Sequence, residues 1–144
     1  MASTPPIQGY DAVVSALGAW PSFHDAEVLH FSLSRGHSPE EKRSTAQLAV
    51  LVRDFEPRNE GTVAYEVALV SSVVIRLEFE GVREIAVTNF NHQNVIETLR
   101  VEPLFIAPAG QLRVEVESIY GFGATWLCTS ARVACVSDLQ SGEA

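Results

Sequence analysis

The sequence predicts a mainly β (α+β) domain: an about seven-stranded, mostly antiparallel meander, curved or folded into two layers, with two short helices. Three observations predict it. Apolar and polar residues alternate with period two in several stretches, as on half-buried strands. Long helices alternating with strands are absent, which argues against a parallel α/β sheet. Glycine and proline interrupt the chain where a meander needs turns. The 144 residues are 47% hydrophobic and 19% charged, which excludes disorder, collagen and a coiled coil. A chain of this length buries about 68% of its unfolded surface, enough for one core without a disulfide or metal.

Residues 1–9 read as a flexible tail, residues 10–137 as one globular domain and residues 138–144 as a second tail. Asp11 is placed to cap a short helix through about Leu17, with Gly18 as its stop. Trp20-Pro21 turns the chain. Leu29, Phe31 and Leu33 alternate with His30, Ser32 and Ser34 in a first strand, and Leu48, Val50 and Val52 mark a second. Pro57, Asn59 and Gly61 mark residues 54–61 as a loop. Within residues 63–80, Val73, Ile75, Leu77 and Phe79 face one way; Val74, Arg76, Glu78 and Glu80 face the other. Gly81 permits a tight turn into a strand at residues 84–89. Asn91 or Asn94 is placed to cap a second short helix, Asn94 and Glu97 having capping-box spacing, and that helix must end before Pro103. Leu112, Val114 and Val116 alternate with Arg113, Glu115 and Glu117 in another strand. Tyr120-Gly121-Phe122-Gly123 is a hairpin turn. Residues 124–136 form a long last strand, with a bulge near Ser130 where apolar parity changes.

Eighteen acidic against ten basic residues give a net charge of −8. That balance argues against nucleic acid and anionic lipid as partners and leaves a basic protein open. Residues 1–20 hold no Lys or Arg, and the apolar run Val67 to Ile75 is too short for a bilayer. The expectation is a cytoplasmic protein that engages no membrane, with Cys128 and Cys135 as reduced, core-facing thiols. No cofactor is expected.

Two polar clusters stand out. Phe23-His24-Asp25-Ala26-Glu27, with His30 nearby, has the residue types of a divalent-metal site. Its spacing matches no metalloprotease helix. The favoured reading has Ser22 and Asp25 satisfying turn amides, and His24 hydrogen-bonded at the core rim. Asn89-Phe90-Asn91-His92-Gln93-Asn94 could grip a polar ligand; the favoured reading is a strand-to-helix corner capped by side chains. Trp20 and Trp126 read as core residues whose indole N–H groups find partners. A glycine-flanked serine elbow and a phosphate-cradling loop are missing, so no catalytic residue is assigned. The remaining collective feature is acidic. Asp54, Glu56 and Glu60 share one apparent loop, and Glu78, Glu80, Glu115 and Glu117 lie on outward strand faces. Together they are the candidate surface for a basic partner.

Trp20-Pro21-Ser22-Phe23-His24-Asp25-Ala26-Glu27-Val28, followed by an alternating strand, resembles the opening of the immunity protein 50 family. Asn89-Phe90-Asn91-His92-Gln93-Asn94-Val95 and the Tyr120-Gly121 turn resemble later parts of the same pattern, in the same order, across roughly residues 17–136. The resemblance implies a bacterial, non-enzymatic protein that neutralises a cognate toxin of a polymorphic toxin system. It assigns no toxin-contacting residue. The acidic balance extends this to a basic, nuclease-type toxin. The alternatives are a small ligand-binding or structural module using the Asn89–Asn94 corner, and a metal-dependent hydrolase using His24, Asp25 and Glu27 with His30 or His92. Oligomeric state is left open.

Overall fold

The period-two alternation becomes strand along most of the chain, and the short amphipathic segment near the start becomes the one helix among the described residues. In the computed structural model, residues 5–36, 43–58, 61–63, 66–106 and 109–138 are described; the side chains of residues 54–58 and 66–71 are not. The order is α1 (Tyr10–Leu17), β1 (Glu27–Ser34), β2 (Thr45–Arg58), β3 (Glu66–Glu80), β4 (Arg83–Thr88), β5 (Val95–Leu104), β6 (Gln111–Tyr120), β7 (Gly123–Cys128) and β8 (Ser130–Asp138).

All eight strands pair antiparallel in one sheet, ordered β4-β7-β6-β5-β1-β2-β3-β8. The centre of this sheet is its weakest join. β1 and β5 share a single register pair, Glu27↔Val95. Two chain connections, β3 to β4 and β7 to β8, link strands from opposite halves of that order. Short connections of this kind require the halves to fold onto each other, so the expected curvature into two layers is present. At the corner, the Thr129 N–H donates to Glu80 O at 2.9 Å. A Cβ on Gly81, whose φ is 66°, would lie 2.5 Å from Thr129 Oγ1, so glycine is required at this crossing.

The core lies between the layers. Val73, Ile75, Leu77 and Phe79 of β3 face it, as do Val114, Val116 and Trp126 from the other half. Phe31 of β1 packs against Trp126 at 5.4 Å and Phe122 at 5.2 Å, and Phe79 meets Trp126 edge-on at 5.1 Å. These aromatic contacts tie the halves where backbone pairing does not. Beyond the reach of β1 and β8, residues 52–58 of β2 and 66–72 of β3 pair, among the described residues, only with each other. They form a two-stranded ribbon.

Several expectations are corrected. The predicted second helix is strand β5. The capping box fails because the Asn94 side chain is taken by other segments, and Val95, Ile96, Thr98 and Val101 favour extended backbone. There are therefore eight strands and one helix among the described residues, against about seven and two. Residues 54–58, expected in a loop, continue β2. Pro57 is tolerated there because β2 has β3 on one side only, so a missing N–H can face outward. The parity change near Ser130 is no bulge within one strand: β7 pairs with β6 and β4, whereas β8 pairs with β3. The α1 N-cap is Gly9, and Asp11 lies in the first turn, where its charge suits the helix dipole. In the segment expected as a tail, Ile7 is buried and Gln8 bridges to Arg132 of β8.

Candidate functional site

The polar clusters and the late glycine turn meet at the join between the half-sheets. Phe23 and Asp25 adopt left-handed backbone, with φ of 65° and 67°, and bend the chain into β1. Phe23 is held there by burial and by an edge-on contact with Trp20 at 5.5 Å. The Asp25 N–H donates to Ile96 O at 3.0 Å, Ile96 N–H to Ala26 O at 2.9 Å, and Val28 N–H to Asn94 O at 2.8 Å. The first cluster is thus stitched to the end of the second.

Asn94, 3% exposed, is the hub. Its Oδ1 accepts from the Asn91 N–H at 2.8 Å and the Phe122 N–H at 3.0 Å. Its Nδ2 donates to Asn91 O at 2.9 Å and, more weakly, to Val28 O at 3.4 Å. Three segments distant in sequence share one amide. Gly121 has φ of 82°, and a Cβ there would meet Gln93 O at 2.5 Å and Asn94 Oδ1 at 2.7 Å. Asn89 turns the chain with φ of 55°, a conformation asparagine tolerates. Phe90 packs on Phe122 at 5.7 Å, and His92 faces Tyr120 at 6.5 Å, while Asn91, His92 and Gln93 present exposed surface.

His24 is exposed, a correction to its expected place as a hydrogen-bonded side chain at the core rim. Its backbone N–H donates to Ser22 Oγ at 3.3 Å, as the turn reading requires. Its Nδ1 lies 3.2 Å from Asp25 and its Nε2 3.6 Å from Glu97. The two carboxylates approach opposite ring nitrogens and do not converge on one point. Among the described residues no group of three His, Cys, Asp or Glu is arranged to hold a metal ion. His30 lies on the outward face of β1, opposite Ala49, and Glu27 occupies the β1–β5 join.

The candidate acidic residues fall on separate faces. Glu78 and Glu80 belong to β3, and Glu115 and Glu117 to β6 in the other half. Each of these four meets arginine. Arg132 bonds Glu78 at 2.8 Å, Arg43 approaches Glu80 at 3.4 Å, and Arg100 reaches Glu115 at 2.5 Å and Glu117 at 3.0 Å. The hydrogen bond that Arg100 donates to Glu115 leads in raising the Arg100 pKa above its ordinary value, as the bond Arg132 donates to Glu78 does for Arg132. Asp54 and Glu56 lie on the ribbon strand β2 with undescribed side chains, and Glu60 lies outside the described residues.

Trp126 is fully buried, but its Nε1 has no partner among the described residues; Trp20 is only half-buried at the core edge. Cys128 is buried on β7 and Cys135 is exposed on β8, which corrects the core assignment of the second thiol. Burial pushes the Cys128 pKa up to about 11. The residue reading passed over Phe105, 94% exposed after β5, and its neighbour Ile106. The signal was available: an apolar Leu-Phe-Ile run at a strand end in an acidic chain.

No curated protein and no solved structure matches this chain. The family model described as immunity protein 50 matches residues 9–138. It spans the hub and all three segments that converge on it, and by that match the chain belongs to the immunity protein 50 family.

Proposed function

We propose that this protein binds and neutralises a cognate toxin of a bacterial polymorphic toxin system, without catalysis, inside the cytoplasm. The family match over residues 9–138 carries the reading. The geometry supports a binding role. The two polar clusters spend their backbone and side-chain groups on the join between half-sheets, where Asn94 alone serves three segments. We further propose a basic, nuclease-type toxin, supported by the net charge of −8.

The test is co-expression. The C-terminal domain of the neighbouring secreted protein is induced in a bacterial host with and without this chain. Restored growth and a co-purifying complex are expected. A toxin that kills equally in both cultures rejects the reading. Affinity should also fall as salt rises; an acidic toxin, or salt-independent affinity, rejects the electrostatic part.

A further inference from the structure

We infer that an extended segment of the toxin is held along the free edge of β5, with Phe105 as the anchor at the end of that edge. This rests on the immunity reading above. β5 pairs with β6 from Val95 to Leu104. On its other side it meets β1 at Val95 and exchanges hydrogen bonds with Asp25 and Ala26 through Ile96. From Glu97 onward that side has no backbone partner among the described residues. An unpaired row of N–H and C=O groups is a template for an added strand.

An open groove of about 410 Å³ lies along this edge, lined by residues 99–103 of β5 together with Pro5, Pro6, Ile7 and Trp20. The prolines have no N–H, and the Ile7 N–H already donates to Pro5 O at 2.8 Å, so the Pro5–Ile7 part of this wall offers no free backbone donor to the β5 carbonyls. Charge selects the occupant. Arg100, the cation of the groove, is engaged by Glu115 and Glu117. Glu102 makes no ion pair or hydrogen bond among the described residues. Arg113 stands opposite Glu102 on β6, so Arg100 and Arg113 face Glu102, Glu115 and Glu117, and this excess of acid fits an extended segment bearing Lys or Arg. Pro103 also borders a second hollow of about 480 Å³ beside Phe105 and Ile106. The added strand runs from the carboxylate to an exposed aromatic ring, the residue type that dominates interface energetics.

The toxin domain neutralised in the co-expression test is titrated with the wild-type chain, Phe105→Ala, Glu102→Lys and, as a control, Leu33→Ala at another exposed apolar position. All three side chains are exposed, so unchanged urea midpoints confirm folding. Phe105→Ala should weaken the Kd about 30-fold. Glu102→Lys should weaken it about tenfold, mainly by slowing association. Leu33→Ala should stay within about twofold, and amides 97–104 should gain protection from deuterium exchange in the complex. If Phe105→Ala and Glu102→Lys both bind like wild type, or protection falls elsewhere and spares β5, the surface is wrong although the function stands. If the wild-type chain neutralises no toxin, function and surface fall together.

Discussion

Replacing Asn94 by alanine tests whether the motif is a structural hub. The substitution deletes four hydrogen bonds at once. The partners differ in what they lose. The Phe122 N–H is left in a site where Phe122 is 0% exposed, and Val28 O in one where Val28 is 1% exposed. A buried donor or acceptor left unmade costs about 1–3 kcal/mol. The 3.0 Å Phe122 bond belongs at the upper end of that range and the 3.4 Å Val28 contact at the lower. The Asn91 groups lie on an exposed residue and can recover water. The sum is about 3–4 kcal/mol, against about 5–15 kcal/mol for a whole domain. Equilibrium urea unfolding reads it as a lower midpoint with unchanged slope. Asn94→Asp retains both acceptor bonds but loses both donors and buries a charge beside two carbonyls, so it should be no better at neutral pH. A loss below about 1 kcal/mol for Asn94→Ala, or a fully stable Asn94→Asp, would refute the hub.

Other perturbations separate further causes. Gly121→Ala and Gly110→Ala both place a side chain at positive φ, but of the two only at Gly121 would the Cβ strike described neighbours, at 2.5 and 2.7 Å; at Gly110 nothing among the described residues lies within 4 Å. Thermal unfolding should show Gly110→Ala costing about 1 kcal/mol and Gly121→Ala clearly more. Phe23→Ala should cost about 3–5 kcal/mol, whereas exposed His24→Ala should stay within about 0.5 kcal/mol; similar losses in chemical denaturation would contradict the burial assigned to each. The Cys128 thiol has its pKa raised from 9.0 to about 11 by burial. The unfolded chain releases this proton first, so its contribution to stability is complete below pH 9 and is lost as pH rises toward 11. Urea midpoints across that window, with Cys128→Ala showing the shallower decline, check the sign. At pH 8 a thiol reagent should label exposed Cys135 and spare Cys128 in the folded protein.

Legibility in the sequence followed the range of the interactions. The strands with clean alternation, such as Leu112–Val116 and Val73–Phe79, were readable because one face of each meets the core. β5 was not. Its Asn94-x-x-Glu97 signal is local, whereas the hydrogen bonds that use Asn94 run to Val28 and Phe122, 66 and 28 residues away. The division of β7 from β8 left a trace, the parity change at Ser130, but its cause is a crossing between half-sheets that no short window contains. The acidic residues were legible as outward-facing. Their arginine partners were not, because Arg132 reaches Glu78 across 54 positions.

The convergence at Asn94 also bears on how an immunity protein divides its labour. The residues that carry the family resemblance are occupied with one another: the Phe23–Val28 bend, the Asn89–Asn94 turn and Gly121 share the same few atoms. A change there is read by the whole join between the half-sheets, so these positions have little freedom to follow a toxin that changes. The edge of β5 beyond Ile96, unpaired among the described residues, and the exposed Phe105 carry no such obligation. Substituting an exposed side chain there alters what the surface offers without disturbing the core. On this reasoning Asn94→Ala should weaken neutralisation only as far as it depletes folded protein, and lowering the temperature should restore both together. Phe105→Ala should weaken neutralisation at full stability, in line with its roughly 30-fold loss of affinity. Loss of toxin binding by a folded Asn94 variant at saturating concentration would show that the two roles are not separate, and that the hub itself forms part of the toxin surface.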